Sequence, residues 1–167
     1  MMINSFFNFR FQKDKPFIGE ILQPDLSLLK GLRILVVGNY EDSQLLVKMI
    51  LEDYQAQVKT VTGADECLKT MQEWQVDVLI SDIHMKEKDG YWLIRTLRDK
   101  EVLPERFISA IALTAYWREL DVALNAGYQN ALLIPFDIDN IAVAVAFIVH
   151  RNMTYLAKKN FIEQFGG

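Results

Sequence analysis

The chain has 167 residues, is 51% hydrophobic and carries a formal charge of -4, which is length enough for one well-packed domain with little room for a second. No clustered run of Lys and Arg marks a nucleic-acid-binding face. No stretch approaches the roughly 18 apolar residues of a spanning helix, so neither nucleic acid nor membrane is expected as a partner. The opening "MMINSFFNFRFQKDKPF" lacks the apolar core of an export signal. The single Cys67 cannot close an internal disulfide and reads as a small buried hydrophobe in a reducing compartment, so a cytoplasmic location is expected.

Residues 1–30 have a texture of their own, with Phe6, Phe7, Phe9, Phe11 and Phe17 mixed among Arg10, Lys13 and Lys15, and with Pro16 and Pro24 interrupting any long element. They read as an arm. Three basic residues are too few for a charged membrane or nucleic-acid contact, so the arm is expected to fold over apolar surface, on this chain or on a second subunit. Residues 31–150 are expected to form the domain, and 151–167 a helical extension.

Short apolar runs then alternate with segments of helical period, a βαβα rhythm that predicts a five-stranded parallel sheet with helices on both faces. The strands are expected at "RILVVG", "AQVKTVT", "DVLISD", "ISAIALTA" and "ALLIP". Between the first two, "SQLLVKMILEDY" is expected to turn Leu46, Ile50 and Tyr54 to the core, and "ADECLKTMQEW" sets Ala64, Cys67, Leu68 and Met71 at helical spacing. "YWLIRTLRDK" and "ELDVALNAGY" predict two short helices, the second ending where Gly127 can take a left-handed conformation. A fifth helix starts near Asp139. Its nine consecutive apolar residues, Ile141 to Val149, require cover on every side, and "HRNMTYLAKKNFIEQF" can prolong it as a dimer seam.

In an open parallel sheet, ligands and chemistry collect at the carboxyl ends of the strands. Here those ends carry Gly38-Asn39, Ser81-Asp82, Thr114-Ala115 and Ile134-Pro135. An acid beside a hydroxyl on the neighbouring strand can accept and sense a phosphoryl group. Over about residues 32 to 149, the blocks "DVLISDIHMKEKDGYWLIRTL", "AIALTAY" and "NAGYQNALLIPFD", in that order, resemble the response-regulator receiver domain of two-component signalling, a flavodoxin-like doubly wound fold.

The resemblance places Asp82 at the phosphoacceptor position, followed seven residues later by the Asp89-Gly90 turn, and Thr114 at the switch hydroxyl. It also exposes departures. Gly38 and Asn39 stand where the family has its Mg²⁺-binding acidic pair, Ile134 replaces the lysine, Ala131 the aromatic switch and Lys86 the proline after "DIHM". Mg²⁺ prefers oxygen ligands, and a lone carboxylate should hold it weakly or not at all, so no cofactor is expected. Isoleucine cannot pair with a phosphoryl group as an ammonium does, and alanine has no rotamer to report with.

Glu41, Asp42, Lys86 and Lys88 could supply relocated charge; the blander reading is that Asp42 or Ser43 caps the first helix and the lysines face water. His84 and His150 have no second ligand at metal spacing and read as ordinary residues, while Trp117 divides between partner anchor and simple packing.

The implied function is a stand-alone, degenerate receiver, not an enzyme, that works through protein contacts without Mg²⁺-dependent phosphorylation. Its partner would be another protein, a histidine kinase or a second copy docked on the fourth helix, fifth strand and fifth helix. No output domain is expected after His150. The alternative is a regulator phosphorylated on Asp82 by a histidine kinase. A flavodoxin-like or dinucleotide enzyme would need a phosphate-binding first loop, and "GNYEDS" offers one glycine and two repelling acids.

Overall fold

The structure, a computed structural model, describes residues 24–99, 108–135 and 138–165. A short 3-10 turn, Leu26–Leu29, leads into β1 (Arg33–Val37), α1 (Glu41–Asp53), β2 (Gln57–Val61), α2 (Ala64–Glu73) and β3 (Val78–Asp82). The chain continues through α3 (Gly90–Arg98), β4 (Ser109–Thr114), α4 (Glu119–Ala126), β5 (Asn130–Leu133) and α5 (Ile138–Phe165). All strand pairs are parallel, in the order β2-β1-β3-β4-β5. Strand order therefore reverses between β1 and β3, the place where open α/β sheets form their crevice.

Alternation along each strand divides the core in two. Ile34, Val36, Val78, Ile80, Ile111 and Leu113 pack beneath α1 and α5, whereas Leu35, Val37, Leu79, Ala110 and Ala112 face α2, α3 and α4. Both faces of the sheet are covered, which is why the strands read as unbroken apolar runs. Fully buried side chains such as Ile34, Leu35, Ile80 and Ile111 each contribute roughly 1.5–3 kcal/mol. Among the described residues, no helix is long and apolar enough to cross a membrane.

The apolar run of α5 is covered by three neighbours: the sheet, α1, and the Leu26–Leu29 turn, whose Leu29 is fully buried. The Phe-rich residues 1–17 lie outside the described residues. Beyond the sheet, α5 continues to Phe165; Asn152 Nδ2 donates to Ser109 Oγ at the start of β4, and Met153, Tyr155 and Leu156 are exposed.

Two expectations for α1 fail. Leu46 does not join the core but is 48% exposed, together with Leu45 and Met49; the buried face is Gln44, Val47, Ile50 and Leu51. The reason is Gln44, whose amide nitrogen donates to the carbonyls of Gly38 (2.8 Å) and Val61 (2.6 Å) at the ends of β1 and β2. Nor does Asp42 or Ser43 cap the helix: Tyr40 holds the cap position without a side-chain bond, and Glu41 and Asp42 stand in the first turn, where carboxylates favour the helix dipole. Gly127 behaves as expected, ending α4 at φ 125°.

Candidate functional site

Asp82 closes β3 at the switch point, and its carboxylate leans across to β1. A Cβ built on Gly38 would lie 2.2 Å from Asp82 Oδ2 and 2.7 Å from its Cγ. The Asp82 side chain therefore occupies the volume that any side chain at position 38 would need. The backbone N–H of Asn39 donates to it. Burial pushes the carboxyl up from 3.8 to about 6, opposed by that N–H and by the nearby His84. Gly90 is required for a similar reason, since a Cβ there would meet Asp82 O at 2.6 Å and the Tyr128 hydroxyl at 3.0 Å. Tyr128, buried, donates its O–H to Gly90 O at 2.8 Å and ties the start of α3 to the α4–β5 turn.

Thr114, at the end of β4, is buried, and its hydroxyl is engaged. Oγ1 donates to Glu119 Oε2 and accepts the Tyr116 backbone N–H at 3.1 Å. Glu119 is the first residue of α4, and both its oxygens lie within reach of His84 Nε2, at 2.9 and 3.0 Å. The His84 ring meets Tyr116 edge-on at 5.5 Å. Three segments thus converge on one carboxylate: the end of β4, the first turn of α4 and the loop after β3.

Residues 34–146 match the response regulator receiver domain family. The chain belongs to that family. This receiver is 37% identical over 115 residues to the "Uncharacterized 14.6 kDa protein in sodA1 3'region" of Leptolyngbya boryana, a match over 67% of this chain and 86% of that one. It is 30% identical over 125 residues to the virulence transcriptional regulatory protein PhoP of Shigella flexneri, across 72% of this chain and 53% of PhoP. Against the sensory/regulatory protein RpfC of Xanthomonas campestris the match is 28% over 87 residues and spans 12% of RpfC. The receiver thus spans about half of PhoP and a small part of RpfC.

Among solved structures, the chemotaxis response regulator CheY4 of Vibrio cholerae superposes with a TM-score of 0.65 at 21% identity, over 71% of this chain and 99% of that one. The receiver domain of the Francisella response regulator 1452 gives 0.65 at 22% identity, over 73% and 99%. The five-stranded parallel receiver fold is shared with both. Receiver domains are signalling modules of two-component systems, which interact with histidine kinases and other proteins.

Ile134, Ala131, Asn39 and Lys88 complete the surroundings read from the sequence. The Ile134 N–H donates to Thr114 O at 2.8 Å, while its side chain packs against the core beneath α5. Ala131 is buried on the opposite side of the sheet, in the core shared by α2, α3 and α4. The Asn39 amide, oriented to satisfy both its ends, donates to Thr62 O at 3.3 Å and accepts from the Lys86 N–H at 3.1 Å. Lys88 pairs with Asp65 at 2.5 Å and sits over the Trp92 ring at 4.5 Å, so it is neither free in water nor turned to Asp82. Among the described residues, no group of three or more His, Cys, Asp and Glu could hold a metal ion, Glu41 and Asp42 included.

His84 lies in the loop after β3, as read from the sequence, and its ring also reaches Glu119 and Tyr116. Of the two readings of Trp117, simple packing is the one its 73% exposure goes against. Sequence reasoning missed Glu119, Tyr128 and Gln44 altogether. Glu119 follows Thr114 by five residues across a turn, a separation that no helical or strand period links. The available signal was its place in the first turn of α4, before the apolar residues Leu120 and Val122.

Proposed function

We propose that this receiver is a signalling module that works through protein contacts, with Mg²⁺-dependent phosphorylation lost or much weakened. One observation carries the reading: the Asp82 carboxylate sits in the space a side chain at position 38 would take, so Gly38 is part of how Asp82 is housed. With Asn39 bonded into the loop network, Asp82 is left, among the described residues, as the one carboxylate offered to a divalent ion there. Mg²⁺ takes near-octahedral oxygen ligands and neutralises charge developing on a transferred phosphoryl group; a single, half-buried carboxylate makes a poor cradle for it. Ile134 offers no ammonium in compensation. Asp82 is then a phosphoacceptor-like remnant and Thr114 a switch hydroxyl without its usual ligand.

Tyr116, Trp117, Val122 and Leu133 are exposed around α4 and β5, and Met153, Tyr155 and Leu156 on the prolonged α5. Exposed aromatic residues of this kind anchor interfaces. The contact surface is accordingly assigned to α4, β5 and α5, with a protein partner or a second copy of the chain as occupant, in the cytoplasm. The test is incubation with acetyl phosphate and Mg²⁺ followed by intact mass, with Asp82→Asn as control. An unchanged mass is expected.

A second reading keeps Asp82 as the target of a partner histidine kinase, and it draws on Asp82 lying at the end of β3 beside the strand that carries Thr114. A gain of one phosphoryl mass, absent in Asp82→Asn, would establish that reading and overturn the first.

A further inference from the structure

We propose that Glu119 is a built-in ligand of the Thr114 hydroxyl, an internal anion that takes up the hydrogen bond a phosphoryl oxygen on Asp82 would otherwise receive and holds the Tyr116–Trp117 face in one arrangement. The inference deepens the interaction-module reading and rests on it for the assignment of Thr114 as the switch hydroxyl. A threonine hydroxyl has a single O–H to donate, and here that proton goes to Glu119 Oε2. It cannot be given at the same time to an oxygen on Asp82. Any anion placed on Asp82 must compete with a carboxylate already in place, covalently tethered five residues away and held at zero cost in translational freedom.

The carboxylate is itself held. Its side chain is 22% exposed, and His84 Nε2 approaches both oxygens, at 2.9 and 3.0 Å. Charge-assisted hydrogen bonds to a carboxylate are roughly twice as strong as neutral ones, and two converge on Glu119. An ordinary exposed His–Glu pair contributes little. What separates this one is the third member, because Thr114 Oγ1 also accepts the Tyr116 N–H and so passes the arrangement to the backbone of the β4–α4 turn. That turn presents Tyr116 and Trp117, the exposed aromatics of the candidate interaction face. In this arrangement the face has no need of phosphorylation to be set.

The test is amide hydrogen exchange on the full chain, read at Tyr116 and through Trp117–Leu120, in Glu119→Ala, Thr114→Val and the double variant. Each single change is expected to raise exchange there about tenfold with the core strands unaffected, and the double variant to match the singles, since groups acting as one unit are non-additive. Unchanged exchange in Glu119→Ala overturns the proposal, as does a double variant whose effect is the product of the singles. Should Thr114→Val fail to fold, Thr114→Ser, which keeps the donor, must retain the protection of the parent chain; loss of protection in Thr114→Ser also overturns the proposal. Intact mass after acetyl phosphate treatment tests the interaction-module reading separately: a phosphorylated parent chain refutes that reading, while the exchange cycle judges Glu119.

Discussion

Replacing Asp82 with Asn should stabilise the protein at neutral pH and do nothing at pH 4. Burial raises the Asp82 carboxyl from 3.8 to about 6, so the folded chain binds this proton more tightly than the unfolded chain. The stability it contributes is present below about pH 4 and is lost as pH rises through about 6. At roughly 1.4 kcal/mol per pKa unit, the full shift corresponds to about 3 kcal/mol. The side chain is only partly buried, and solvent screening reduces this to about 1–2 kcal/mol. Asparagine keeps an oxygen to accept the Asn39 N–H and cannot ionise. Urea denaturation of the parent and Asp82→Asn at pH 4, 5, 6 and 7.5 isolates the effect as a difference that grows by about 1–2 kcal/mol in favour of the variant across that range. A difference that stays flat, or that turns against the variant above pH 6, would mean that the ionised carboxylate is stabilised by a cation the site supplies, and the argument for a closed site would fail.

Gly38→Ala should destabilise by about 1–3 kcal/mol, because the new methyl meets Asp82 Oδ2 at 2.2 Å; adding Asp82→Ala should recover most of the loss in a double-mutant cycle of urea midpoints. Tyr128→Phe removes the O–H bonded to Gly90 O and should lower stability by about 1 kcal/mol in thermal unfolding. Trp117→Ala, at a position 73% exposed, should leave stability within about 0.5 kcal/mol. If the α4 face joins two copies, the same change should shift the chain to monomer in sedimentation equilibrium; an unaltered mass distribution from an oligomeric parent would remove Trp117 from the interface.

The strands were legible because a sheet covered on both faces demands apolar residues at successive positions, and "ILVV" and "IALT" meet that demand wherever the helices fall. The inward face of α1 was not. Residues 43–54 carry two apolar stripes, Leu45–Leu46–Met49 and Val47–Ile50–Leu51, and hydrophobic period alone cannot choose between them. The choice follows Gln44, a polar residue turned inward to donate to the Gly38 and Val61 carbonyls at the strand ends. At the site, Asp82, Thr114 and Gly38 could be placed by motif and strand end. The direction in which Asp82 leans could not, since it follows from space left by a missing side chain. Glu119 and His84 come together only because two loops at the same end of the sheet fold toward each other, a juxtaposition that chain spacing does not encode.

Gly38 and Ile134 each shape the sheet end around Asp82 in a different way. Glycine at position 38 lets the Asp82 carboxylate lie against β1, where it is half-buried and accepts the Asn39 N–H. Ile134 packs a hydrocarbon side chain against the core beneath α5 and offers no ammonium at the strand end beside Thr114. The hydroxyl of Thr114 donates instead to Glu119. Returning an acid to position 38 alone would not rebuild a metal site, because its Cβ would collide with the very carboxylate meant to share the ion. Asp82 would first have to move out of that volume. On the proposed reading, phosphoryl chemistry would return only with changes on β1, β5 and the first turn of α4 together, because the present side chains there satisfy one another.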